Sequence, residues 1–547
     1  MKYFPKISWI IASCAMISVS ACGSTTPADV QATDGAGDGT ANPDATAADS
    51  TTDAGQDSVI TPDSGIHAGP LALQPGQVAE LAVSDGVSGI ELQTPLGTEQ
   101  YVAIVASTRV DKLTKSYTYS LDLLNAPDTP SYQFVSGCAI DAAGWATATA
   151  AVDPVPQGDV PPVGTLRTLQ MSTSAGMVDL PVELTAVGKR GAVWVDVSAA
   201  HPANVDPAVV ADFLKDFDEI ILPRERAAFG MESDLDKDGH VGLVFTSLTK
   251  DTAVAFFSGC DLQALPGCNG GNQGEFLYLN PPANLDPPYN TPAAIKETLA
   301  HECGHLVHFN RKVLRNQLAD WNDSSYMIEG FGALAQDVIG FQAGNLYVAM
   351  AGLDGINDFS LAYTLMDKTS YNMSKDGVLR GMSYWFTRWL YDRAGGDAVG
   401  TDGALQNKGG PAFVQSLLGD KATVATAKIS HAQGKSDDIA MDFYTTLAVS
   451  NREDVGGVVA ENPCLRMLPI ATDPVTQKQR GANVYAKFHG MAMKGPKIQD
   501  AAKADGKLLA GGVEYVLIKA EAGQAVLDWT VQSDPTAQLR VRIARIQ

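Results

Sequence analysis

The stretch TLAHECGHLVHFNRK, Thr298 to Lys312, holds three of the chain's eight histidines. His301 and His305 stand four positions apart with Glu302 between them. On a helix turning about 100° per residue, the two imidazoles lie about 40° apart on one face, close enough to share one metal ion. Zn²⁺ accepts imidazole nitrogens at about 2.0–2.1 Å. A carboxylate at Glu302 flanks that face, placed to take a proton from water activated by such an ion. The chemistry this predicts is hydrolysis at neutral pH.

Two ligands do not make a catalytic zinc site, which needs a third protein donor and one open position. A third histidine six residues on is excluded, because Arg311 stands there and His308 occupies the place where that arrangement needs glycine. Cys303 points away from the histidine face and reads as a core thiol. Downstream, SSYMIEGFGALAQDV offers Glu329, 24 positions after His305. That interval is long enough for the chain to turn and lay a second helix against the first. Glu329 is the candidate third ligand. Tyr384, His431 and Tyr326 are candidates for stabilising an oxyanion, and Asp337 is a candidate for orienting a ligand histidine.

Both helices carry start signals. Asn290-Thr291-Pro292 sets a polar cap before proline, and Ile295, Leu299, Leu306, Phe309 and Val313 then follow helical spacing. Ser324 and Ser325 can cap the second helix.

On these residues the chain resembles the gluzincin metallopeptidases, in particular the hyicolysin family, in which LAHExxHxxxFN precedes an NEGxxxxAE-like helix. The matching stretches are LAHECGHLVHFN and YMIEGFGALAQD, with Ile328 where the family has Asn. The likeness extends through SDLDKDGHVGLVFTSL, FFSGCD, GEFLYLNPP and RGMSYWFTRWLYDRAG. It implies a zincin-like domain in which His301, His305 and Glu329 bind zinc, Glu302 is the general base, and a peptide bond is the substrate.

A second signal lies at Asp234, Asp236, Asp238 and Gly239, which match the first half of a calcium loop. Phe245 stands where an EF-hand needs its final Glu, and the flank reads as a strand. A structural Ca²⁺ and a metal-free Asp/Gly turn both remain open.

These motifs sit in a chain of 547 residues with net charge −23, a balance that argues against nucleic acid or anionic lipid headgroups as partners. The N-terminus carries Lys2 and Lys6, an apolar run and Val19-Ser20-Ala21-Cys22, which resembles a bacterial lipobox. The expectation is a lipoprotein signal over 1–21, lipidation of Cys22, and an acidic, disordered tether over 22–68. The protein would then be exported and lipid-anchored, at an outer membrane or cell surface. In an oxidising compartment, Cys260 and Cys268, within GCDLQALPGCNGG, form the preferred disulfide, with two separate thiols as the alternative, and the odd cysteine count leaves at least one thiol unpaired.

The fold class this predicts is α+β. Alternating apolar runs predict a β-sandwich-like domain over 69–188 and a smaller β-domain over 480–547. Between them, 189–470 places strands before helices, the catalytic domain. The functional expectation is an extracytoplasmic zinc endopeptidase acting on protein or peptide. The alternatives are a surface-binding or adhesion lipoprotein on a metallopeptidase scaffold, and a zinc hydrolase of a non-protein substrate.

Overall fold

Strand Gln100–Ser107 is apolar on both faces, and its alternation explains the architecture around it. Tyr101, Ala103 and Val105 enter one core, while Val102, Ile104 and Ala106 enter another. A strand with two apolar faces must be central and covered on both sides. In the computed structural model it lies between Leu539–Arg545 and Val513–Lys519, antiparallel to both, in a seven-stranded sheet. The structure describes residues 65–547 apart from 110–114, 123–129, 141, 149–157, 174–175, 200–202, 204, 250–252, 266–270, 320, 322, 342–347, 362–375, 423–435, 489–490 and 501–505. The leader, Cys22, nearly all of the tether, Cys268 and His431 lie outside the described residues.

A five-stranded sheet covers one face of the seven-stranded one, and it too mixes the termini: Val526–Ser533 pairs with Val87–Gln93 and with Ser116–Asp122. The two β-regions expected to be separate domains are therefore one sandwich. Periodicity reports which faces of a strand are buried, not which strand lies beside it, so this pairing was invisible to it.

A six-stranded sheet is built from β1 (Leu166–Thr173), β2 (Gly176–Val187), β3 (Gly191–Asp196), β4 (Val241–Phe245), β5 (Ala255–Phe257) and β6 (Phe276–Leu279). Their order is β5-β6-β4-β3-β2-β1, with β3, β4 and β6 parallel and β5 antiparallel at one edge. The expected boundary near 188 is thus corrected, because β1 and β2 continue this sheet instead of joining the sandwich. Val193, Leu243, Phe245, Leu277 and Leu279 face the helices on one side, and Trp194, Val244 and Tyr278 line the other.

Against the first face lie α1 (Pro207–Asp216) and α3 (Pro292–Phe309), and α2 (Leu222–Phe229), α4 (Ser325–Ile339) and α5 (Asp376–Arg393) pack on helices within the same core, with α6 (Ser436–Val449) meeting the sandwich. Arg542 on the sandwich pairs with Asp442 of α6 at 2.7 Å. Cys138 and Cys464, 326 positions apart, form a disulfide. Among the described residues no helix is long and apolar enough to cross a membrane.

Candidate metal centre

Helix α3 begins where its cap predicts, with the Thr291 hydroxyl accepting from Ala294 N at 3.2 Å and Pro292 in the first turn. HECGH falls inside it. The rings of His301 and His305 stand 4.6 Å apart, nearly perpendicular. Donor atoms of His301, Glu302 and His305 all lie within 4.8 Å of one another.

Helix α4 starts at a Ser324 cap that accepts from Met327 N at 3.2 Å, and it ends at Gly340 in the left-handed region. It lies against α3 through small residues. A Cβ on Gly304 would sit 2.7 Å from the Ala335 Cβ, and one on Gly332 would sit 2.6 Å from His301 Nε2. Those missing atoms let Glu329 reach the histidines: its Oε2 lies 3.5 Å from His301 Nε2 and its Oε1 4.0 Å from His305 Nε2. The structure thus brings His301, Glu302, His305 and Glu329 together, all buried.

The donor set fits a zinc ion. Among the described residues, His301 Nδ1 and both ring nitrogens of His305 are buried without a hydrogen-bond partner, a costly state for an imidazole. Burial, then the neighbouring His301, lowers the His305 imidazole to about 3, so it is a neutral lone-pair donor at pH 7. Burial works to raise the Glu329 carboxyl, but the Arg380 guanidinium and then the imidazoles outweigh it and hold the group well below the usual carboxylate range. Two imidazoles and one carboxylate are a donor set zinc takes in hydrolytic sites.

Glu302 has a different environment. Its Oε2 accepts from Phe257 N at 3.0 Å, where edge strand β5 passes α3. Burial, then the Glu329 charge, raises its carboxyl well above the ordinary value. Two carboxyls with pKa values pushed apart in one site are the pattern of a ligand beside a proton carrier.

Other candidates lie elsewhere. Tyr384 is sealed in the core and donates to Asp337 Oδ2 at 3.0 Å. Asp337 also takes Arg388 at 3.0 Å and Gly481 N at 2.8 Å, so it ties helices together instead of orienting a ligand histidine. Tyr326 is buried. His308 meets Asp323 at 3.4 Å and stacks edge-on with Trp321. Cys303 is a free, buried thiol, pushed up by burial. Cys260 is disulfide-bonded.

In the acidic loop, Asp234 and Asp236 gather with Glu275, their oxygens within 4.8 Å. Asp238 is outside that group and accepts from His240 N at 2.7 Å. Burial raises Asp236 to about 6 and Glu275 to about 7. Glu275 stands just before β6, where only the parallel pairing of β4 and β6 brings it to the loop. Arg380, bound to Glu329, was the other residue that motif spacing did not reach.

A stretch of this chain is similar to a neutral metalloprotease. Over 154 residues it is 29% identical to the neutral metalloprotease ShpI of Staphylococcus hyicus, a match covering 25% of this chain and 33% of that protein. The chain thus spans about a third of the length of the relative it matches. No family model matches the chain.

Proposed function

We propose that the protein is an exported zinc-dependent endopeptidase, with His301, His305 and Glu329 as ligands and Glu302 as general base. The observation that carries this reading is the approach of Glu329 to both imidazoles at 3.5 and 4.0 Å, with Glu302 beside them. Zinc held by these residues would supply Lewis acidity to a water molecule and to the scissile carbonyl. Glu302 takes the proton from the attacking water and delivers it to the departing amine. Its hydrogen bond from Phe257 N holds the carboxylate aimed during both transfers. Its raised proton affinity suits a group that must bind a proton and then give it up.

The edge position of β5 favours an extended polypeptide as substrate, because an outer strand can accept another strand along its open side. The similarity to a neutral metalloprotease supports the same reading. The leader over 1–21, with Lys2, Lys6 and an apolar run before Cys22, supports export and lipid anchoring.

Casein digestion by wild type and Glu302→Gln tests the assignment. The variant should keep its zinc and lose at least about a thousandfold in activity. Equal digestion by both would remove Glu302 from the mechanism.

A further inference from the structure

We propose that Arg380 is the positioning residue of the metal centre, gripping the Glu329 carboxylate through Oε2 and fixing it between the two imidazoles. The inference rests on the reading of His301, His305 and Glu329 as a zinc site.

Arg380 Nη2 lies 2.5 Å from Glu329 Oε2. That oxygen is the one 3.5 Å from His301 Nε2, while Oε1 faces His305. A carboxylate on a helix can rotate about its side-chain bonds, and a charge-assisted bond to one oxygen removes that freedom and sets where the second oxygen points. The arginine is itself held. α5 approaches α4 where Gly330 lacks a side chain, since a Cβ there would sit 2.9 Å from Ser383 O. Thr387 Oγ1 donates to Gly330 O at 2.9 Å. On the other face of α5, Trp385 Nε1 donates to Ala349 O at 2.8 Å. Arg380 is thus delivered one turn before the closest approach of the two helices, level with Glu329.

The same pairing recurs eight residues on along both helices, where Arg388 meets Asp337 at 3.0 Å. That inner pair is sealed in the core, whereas the Arg380 side chain keeps 15% of its surface exposed. One helix pair therefore carries two arginine–carboxylate clamps, an inner one that joins the helices and an outer one that holds a ligand. The guanidinium field also reaches Glu302 and His305, which places it beside the whole cluster.

Two roles for Arg380 predict opposite signs. A cation that merely sits nearby repels a dication, so its removal would tighten zinc binding. A cation that orients the ligand strengthens the site, and loss of such an outer partner costs about 10–100-fold in metal affinity. The test is chelator competition with zinc as the probe, on the full chain, for wild type, Arg380→Met and Arg380→Lys, with the d–d absorption of the cobalt-substituted proteins alongside. The proposal expects about 10–100-fold weaker zinc binding and shifted cobalt bands in Arg380→Met, and partial recovery in Arg380→Lys, which keeps a point charge without the planar fork. Should Arg380→Met fail to fold, weakened binding and shifted bands in Arg380→Lys carry the same meaning. Unchanged or tighter zinc binding with an unchanged cobalt spectrum overturns the proposal and leaves the zinc site intact. A wild type that takes up no zinc overturns both.

Discussion

The backbone N–H of Phe257 donates to Glu302 Oε2 at 3.0 Å, joining the sheet edge to the residue assigned as proton carrier. Glu302 is therefore set by a strand as well as by its own helix. Shortening it to aspartate retracts the carboxylate by about one methylene, and misplacement by about 1 Å costs about a hundredfold in rate. Glu302→Asp should lose about that much in kcat while zinc content stays at the wild-type level. Metal analysis alongside peptide hydrolysis checks both halves, and full activity in this variant would mean that Glu302 needs no fixed position.

Gly332 is where helix packing meets the metal site. An alanine methyl there would press on His301 Nε2 at 2.6 Å and on His305 Cε1 at 2.8 Å. Overpacking of this kind costs about 1–3 kcal/mol, and here it would also displace both imidazoles. Gly332→Ala should bind zinc at least about tenfold more weakly than wild type in chelator competition. Retention of wild-type affinity would show that the imidazoles can give way.

Asp261 offers a pH test away from the metal centre. Burial raises its carboxyl from the usual 3.8 to about 7, against hydrogen bonds from Tyr278 and Asn272 that favour the charged form. Because the folded protein holds this proton more tightly than the unfolded chain, the group's contribution is complete below about pH 3.8 and is lost as pH rises through about 7. Asp261→Asn keeps a carbonyl acceptor and cannot ionise. Its Tm should fall less than that of wild type between about pH 4 and pH 7, and equal slopes would contradict the assignment.

The Cys138–Cys464 bond closes a loop of 326 positions. Links of this kind contribute about 2–4 kcal/mol, largely by restricting the unfolded chain. A Cys138→Ser/Cys464→Ser double variant should lose that much in denaturant unfolding, and no change in midpoint would show that the bond contributes nothing to stability.

What could be read in the sequence follows from range. His301, Glu302 and His305 are local to one helix, whose period fixes their mutual direction once Thr291 and Pro292 mark its start. Glu329 was within reach because the interval after His305 and the serine cap describe a second helix. Arg380 was not, since its partner lies 51 positions away and the approach of α5 depends on Gly330, which carries no chemical signal of its own. Tyr384 looked like a donor by type, but its hydroxyl is spent on Asp337 inside the core. Glu275 joins Asp234 and Asp236 only through sheet order. The sandwich was misdivided for the same reason: Gln100–Ser107 shows its two apolar faces plainly, yet its partners begin more than 400 residues later.

The proposed hydrolysis requires that His301, His305 and Glu329 together hold one zinc ion. Elemental analysis of the full chain, purified without chelator and compared with His305→Ala and Glu329→Ala, tests it most directly. One equivalent of zinc per wild-type chain and a large loss in both variants are expected. A wild type without zinc, or variants that retain the full equivalent, would contradict it.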